Sequence, residues 1–175
     1  MINKPKIGDI IPFGEYNWRV LDVKGDKALI ITEDVVEQRR YHEQYIDVTW
    51  ETCDLRKYLN GEFLDKFDSA RIVQVTNQNP DSPYDGKDGN PTQDKIFLLN
   101  LDEFLKYFGD NGYFDITIDY ETDAWWWLRT LGSDNHRVVT VHEGNSVYSY
   151  NRADYCDGGV SPALWLKLDG GNENE

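Results

Sequence analysis

Long hydrophobic runs, basic charge and cysteine are all scarce in this chain, and each shortage excludes something. No apolar stretch approaches the roughly 18 residues a membrane-spanning helix needs, and mean hydropathy is −0.67. Lys and Arg number 18 against 32 Asp and Glu, a net charge of −14. A field of that sign repels phosphate, which argues against nucleic acid and anionic membrane surfaces as partners and against membrane insertion. Cysteine occurs only at Cys53 and Cys156, and no CxxC or HxxxH spacing offers a structural zinc site. The two read as free thiols in a reducing compartment, with a single Cys53–Cys156 disulfide as the alternative. Residues 1–7 form an N-terminal arm without the apolar stretch of a secretory signal, so the expected location is the cytoplasm. Aromatics are not scarce: six Trp and 11 Tyr supply enough burial to exclude disorder.

Hydrophobic periodicity organises the 175 residues as one α+β domain over residues 8–168, with a frayed polar tail at 169–175. Alternation in 18–23 and 27–32 around Lys24-Gly25-Asp26 predicts a hairpin, preceded by an edge strand at 8–14 containing Pro12. A helix capped by Thr49 is expected to bury Trp50, Cys53, Leu55, Tyr58 and Leu59 and to stop at Asn60-Gly61. Phe63, Leu64 and Phe67 suit a further helical turn. Residues 71–76 and 95–99 read as strands, separated by a long Pro, Asp and Gly loop. Leu101, Phe104, Leu105 and Phe108 line one face of a helix ended by Gly109. Residues 113–122 are ambiguous. Trp125 to Arg129 carries bulky groups on both faces and reads as a central strand. A second hairpin is expected from 137–142 and 146–150 around Glu143-Gly144-Asn145, and a closing strand from 160–168.

Catalytic signatures are sparse. There is no GxSxG elbow, P-loop or GxGxxG. His42, His136 and His142 all have bland explanations, and a Cys156–His142 thiol–base pair rests on no sequence proximity. Asp81, Asp85 and Asp88 offer hard oxygen ligands for calcium. The EF-hand pattern fails, however, because Lys87 stands third from Asp85.

The runs Trp125-Trp126-Trp127-Leu128-Arg129-Thr130-Leu131-Gly132 and Val160-Ser161-Pro162-Ala163-Leu164-Trp165-Leu166 resemble a family of bacterial and phage domains. Its members read W-W-L-R-S-P-G and later G-V-R-P-A-L-W-L. Upstream, Gly8 to Gly14, Trp18 to Leu21, Thr49 to Cys53, Leu55 to Asn60 and Asp94 to Leu99 agree. Leu131 and Ser161 depart from that pattern, standing where proline and arginine are usual. The resemblance extends to the C-type-lectin-like fold, shared by formylglycine-generating enzymes and by the variable proteins of diversity-generating retroelements. It implies a fixed scaffold over 8–131 and 160–168 that presents a ligand-contacting segment near the C-terminus. Copper chemistry of the formylglycine-generating kind needs a cysteine pair, and Cys156 has no neighbour in sequence.

The segment between those two motifs, Ser133–Asp157, contains no Lys, Gln, Met or Trp, although these make up 22 of the 175 residues. Adenine-directed mutagenesis of asparagine-type codons yields none of the four. It does not yield Glu either, so Glu143 is an exception. The segment mixes rigid Tyr with adaptable Asn, Ser and Asp, the composition of antibody loops. The expected ligand-binding residues are Ser133, Asp134, Asn135, His136, Arg137, Thr140, His142, Asn145, Tyr148, Tyr150, Asn151, Arg152, Asp154, Tyr155, Cys156 and Asp157. Val138, Val139, Val141 and Val147 are expected to be scaffold facing the core.

The resulting expectation is a non-enzymatic recognition domain without a cofactor, binding a protein or other surface ligand as a monomer or small oligomer. A phage virion or a cell surface would suit such a role. A calcium-dependent carbohydrate-binding module, or an enzyme built on scattered carboxylates or Cys156, are the alternatives.

Overall fold

In the computed structural model, residues 4–109 and 125–169 are described; the ambiguous 113–122 stretch lies outside them. Ile10–Phe13 (β1), Tyr16–Lys24 (β2) and Lys27–Thr32 (β3) form an antiparallel meander whose inner residues Trp18, Val20, Ala28 and Ile30 are fully buried. Pro12 costs no ladder bond because β1 is the outermost strand of its sheet. Gly25 turns β2 into β3 with φ +60°, a left-handed conformation that favours glycine. Glu37–Gln38 (β4) follows.

The first helix, Asp54–Leu59 (α1), is capped by Cys53 rather than Thr49. The Cys53 Sγ accepts the Arg56 amide at 3.4 Å, while Thr49 and Thr52 close a separate hydrogen-bonded turn just upstream. The thiol wins because burial fixes it: Cys53 is fully buried in the core and its Sγ also donates to the Trp50 carbonyl. Asn60 ends the helix and ties it to the next strands, its side chain accepting the Lys95 and Ile96 amides. Phe63 is buried beyond it, with Leu64 and Phe67 packed against the core.

Short strands Ile72–Val73 (β5), Val75–Asn77 (β6), Thr92–Asp94 (β7) and Ile96–Phe97 (β8) replace the two longer ones expected. Leu101–Phe108 (α2) begins with a reciprocal capping box between Asn100 and Glu103, worth on the order of 1 kcal/mol. It buries Leu101, Phe104 and Phe108 but leaves Leu105 51% exposed. Phe104 and Phe108 meet Trp126 edge-on.

Trp126–Leu131 (β9), Arg137–His142 (β10) and Ser146–Arg152 (β11) form the second sheet with Gly159–Val160 (β12) and β4, in the order β11-β10-β9-β12-β4. Every residue of β9 is buried, as a central strand requires. Val138, Val139 and Val141 are all buried because β10 is covered on both faces. The expected closing strand breaks at Ser161-Pro162. β12 joins the second sheet, whereas Ala163–Lys167 (β13) enters the first beside β3, with β5 and β8 on its far side. One short segment thus stitches both sheets together. Ser161 is fully buried and shares a 3.0 Å hydrogen bond with Thr32. Arg129 is buried as well, and its guanidinium satisfies Asn79, the Leu98 and Gln78 carbonyls and Glu103 at 2.6–2.9 Å. It fastens the long loop and the start of α2 to β9.

Candidate functional site

The β10–β11 hairpin and the turns around it hold the whole Ser133–Asp157 segment at one place on the second sheet. Its sixteen candidate residues divide by what their polar atoms touch. Asn135 is a clamp: its Oδ1 accepts the Lys87 amide at 2.8 Å and its Nδ2 donates to the Lys87 carbonyl at 2.7 Å. Its backbone carbonyl accepts the Val48 amide, so one residue binds two loops to the hairpin. Thr140 and Asn151 are buried, and Asn151 Nδ2 donates to Thr140 Oγ1 at 2.9 Å. His142 Nε2 lies 3.0 Å from the same hydroxyl and 3.3 Å from Asn151 Nδ2. These groups support the surface.

Asp134 and Asp154 are each occupied by a neighbouring guanidinium, Arg137 and Arg152 respectively. Burial works against ionisation of Asp134, but the His136 amide and Arg137 outweigh it and hold the carboxyl below the usual range. Ser133, Tyr148, Tyr150, Tyr155, Cys156 and Asp157 face outward, and Asn145 sits half-exposed in the hairpin turn with φ +60°.

The rings join into one strip. Tyr150 stacks on Tyr148 at 5.4 Å, Tyr148 on His142 at 3.8 Å, and His142 on Trp125 at 5.8 Å. Trp125 meets Tyr155 at 6.4 Å, and Arg152 lies 5.9 Å from the Tyr155 ring and 3.9 Å from that of Tyr45. His136 closes the series 4.9 Å from Tyr45, with Asp47 3.3 Å from its Nε2. Trp125 and Trp127 are core, packed edge-on at 4.8 Å. Trp127 donates to the Arg39 carbonyl and so fixes the strip's base.

Sequence reasoning missed the two loops that complete this surface. Residues 43–48 bring Tyr45, Ile46 and Asp47, and residues 82–88 bring Tyr84; Tyr45, Ile46 and Tyr84 are all exposed. Gly86 donates its amide to the Gly132 carbonyl at 2.9 Å, and a Cβ there would lie 2.7 Å from Leu131. An exposed apolar residue inside a polar loop, as in Gln44-Tyr45-Ile46-Asp47, was the available signal.

Of the expected calcium ligands, Asp81 Oδ1 accepts the Asp88 amide and its Oδ2 lies 3.8 Å from Lys87 Nζ, while Asp85 is exposed at φ +93°. Among the described residues no group of three or more His, Cys, Asp or Glu side chains could hold a metal ion. Cys53 and Cys156 are both free, one buried and one exposed, and burial pushes the Cys53 thiol up to about 12. Among the described residues no helix is long and apolar enough to cross a membrane.

No curated protein and no solved structure matches the chain. A family model does, over residues 25–168, and it takes in every strand from β3 onward together with the entire aromatic strip. The chain belongs to the family described as a domain of unknown function, DUF6273.

Proposed function

We propose that this chain is a non-enzymatic recognition domain of C-type-lectin-like fold, whose Ser133–Asp157 segment presents a Tyr-rich surface to a protein or other surface ligand. The observation that carries this reading is the grouping of exposed large side chains. Tyr148, Tyr150 and Tyr155 are exposed within the segment, Tyr45 is joined to it through His136 and Arg152, and Ile46 and Tyr84 are exposed on the 43–48 and 82–88 loops that hydrogen-bond to it. Scattered apolar residues on a surface need no explanation, but a contiguous patch does. Tyrosine brings large rigid area at low entropic cost, which suits binding.

The division of labour within the segment supports a presenting scaffold. Asn135, Thr140 and Asn151 spend their polar atoms on the scaffold, while Ser133, Tyr148, Tyr150, Tyr155 and Asp157 are free to change without disturbing the core. That arrangement suits a variable protein of a diversity-generating retroelement, in which a changing surface sits on a constant frame. The charge of the chain keeps nucleic acid outside the expected partners.

An array of proteins and glycans probed with the labelled chain tests this. Spots bound by the wild type should lose most of their signal with a Tyr148→Ser, Tyr150→Ser, Tyr155→Ser triple variant that still folds. Binding indifferent to all three changes, or no bound spot at all, contradicts the reading. Signal confined to glycans and abolished by a calcium chelator would favour the calcium-dependent carbohydrate module instead.

A further inference from the structure

The exposed tyrosines of the candidate surface already seat cations of this chain. The Arg152 guanidinium lies 3.9 Å from the centre of the Tyr45 ring and 5.9 Å from that of Tyr155, and Arg137 lies 5.8 Å from Tyr45. A ring face attracts a guanidinium through its quadrupole, and Arg suits the role because its planar, weakly hydrated group stacks. Those contacts draw on only part of the aromatic area. Tyr84, Tyr148 and Tyr150 are exposed as well, and among the described residues no cation lies over any of their rings.

Charge decides what such rings can take. Each cation beside them is matched by a carboxylate of its own: Arg137 by Asp134, Arg152 by Asp154, Arg40 by Glu43 at 3.5 Å and Lys87 by Asp81 at 3.8 Å. The acids are not all matched in return. Asp85 follows Tyr84, Glu143 stands in the hairpin turn and Asp157 lies two residues beyond Tyr155; all three are exposed. Among the described residues none of the three forms an ion pair. The surface thus combines uncovered ring faces with an excess of negative charge.

We propose that this surface is a docking face for an arginine-bearing segment of a basic protein, whose guanidiniums lie on Tyr84, Tyr148 and Tyr150 within the field of Asp85, Glu143 and Asp157. The complex repeats between two chains the Arg–Tyr contact that the fold makes within one. An acidic or phosphate-bearing ligand is repelled by the same acids. A neutral apolar partner would desolvate them with no counter-charge, which is costly. The inference rests on the recognition reading and names the class of partner for that same site.

Fluorescence anisotropy of a labelled peptide of Arg-Gly-Ser repeats, titrated with the full chain at about 0.15 M salt, tests it beside the same peptide carrying Lys or Glu in place of Arg. The Arg peptide should bind, the Lys peptide more weakly and the Glu peptide not at all. A Tyr84→Ser, Tyr148→Ser, Tyr150→Ser variant should weaken the Arg peptide by about ten-fold or more, and the matching triple Phe variant, which keeps the ring faces, should stay within about two-fold of wild type. Asp85→Asn, Glu143→Gln and Asp157→Asn together should weaken it by about three-fold or more. Glu15→Gln, Asp26→Asn and Glu62→Gln remove the same charge outside this surface and should leave binding within about two-fold, because screening limits exposed charges to about 8 Å. Should the Ser variant fail to fold, these two neutralised sets decide. No binding of the Arg peptide, a Lys peptide bound as tightly, equal loss from the two neutralised sets, or indifference to the Ser changes overturns the proposal. The recognition reading fails separately: an array that retains only neutral or acidic proteins keeps that reading and overturns this one, whereas an array with no bound spot contradicts that reading whatever the peptide does.

Discussion

Single side chains in the second sheet differ sharply in what they hold up. Arg129 reaches four acceptors with one planar fork, a task Lys cannot perform. Replacing it with Ala leaves the buried Leu98 carbonyl and the buried Asn79 Oδ1 without their donor, so Arg129→Ala should cost roughly 3–5 kcal/mol in urea unfolding. Asn135→Ala breaks the exposed Lys87 clamp and should cost about 0.5–1.5 kcal/mol by the same assay. Tyr150, 59% exposed, has no such burden, and Tyr150→Ser should stay within about 0.5 kcal/mol of wild type. If Asn135→Ala were as neutral as Tyr150→Ser, the split between clamps and presented residues would fail. None of this split was legible in the sequence. Asn135, Asn151 and Ser133 look alike there, because a polar residue's role depends on which loop lies against it, and residues 48 and 87 are distant in the chain.

At the level of elements, backbone proximity sets the constraints. Gly158 packs against the Trp127 indole so closely that a Cβ would lie 2.2 Å from its Nε1, and that ring is pinned by the Arg39 carbonyl. Gly158→Ala should therefore destabilise by about 1–3 kcal/mol, read as a lowered urea midpoint with unchanged m-value. Gly144, which meets nothing within 4 Å but holds φ +73°, should lose only about 1 kcal/mol on change to Ala. Both hairpins, the outer β1 strand and the central β9 strand were readable from alternation and turn residues, because those signals are local. The start of α1 was not. Thr49 is a better intrinsic cap than Cys53, but the tertiary burial of Cys53 decided the boundary. The break between β12 and β13 was also hidden: Val160 to Leu168 is mostly apolar, and only sheet pairing reveals that the segment changes sheets at Ser161-Pro162.

For the whole molecule, acid and neutral pH pull stability in opposite directions. Burial works against ionisation of Asp94, but hydrogen bonds from Trp50, Asn77, Thr92 and Arg56 outweigh it and hold the carboxyl below its usual range. Its contribution is present above about pH 4 and lost as pH falls through the depressed value. Asp88 has the opposite sign, contributing below about pH 4 and losing that contribution by about pH 7. Thermal unfolding across pH should thus show a maximum in the mildly acidic range, and Asp88→Asn should flatten the decline on the neutral side. A curve that rises steadily from pH 4 to 8 in both proteins would contradict this assignment.

The central claim is that a fixed scaffold presents a variable recognition surface, and sequencing this locus across many isolates of one species tests it most directly. Substitutions should gather at Ser133, Tyr148, Tyr150, Tyr155 and Asp157, largely in asparagine-type codons, while Asn135, Thr140, Asn151 and Gly158 stay constant. Substitutions spread evenly over residues 8–168, or an unchanging set of exposed tyrosines on a drifting scaffold, would contradict it.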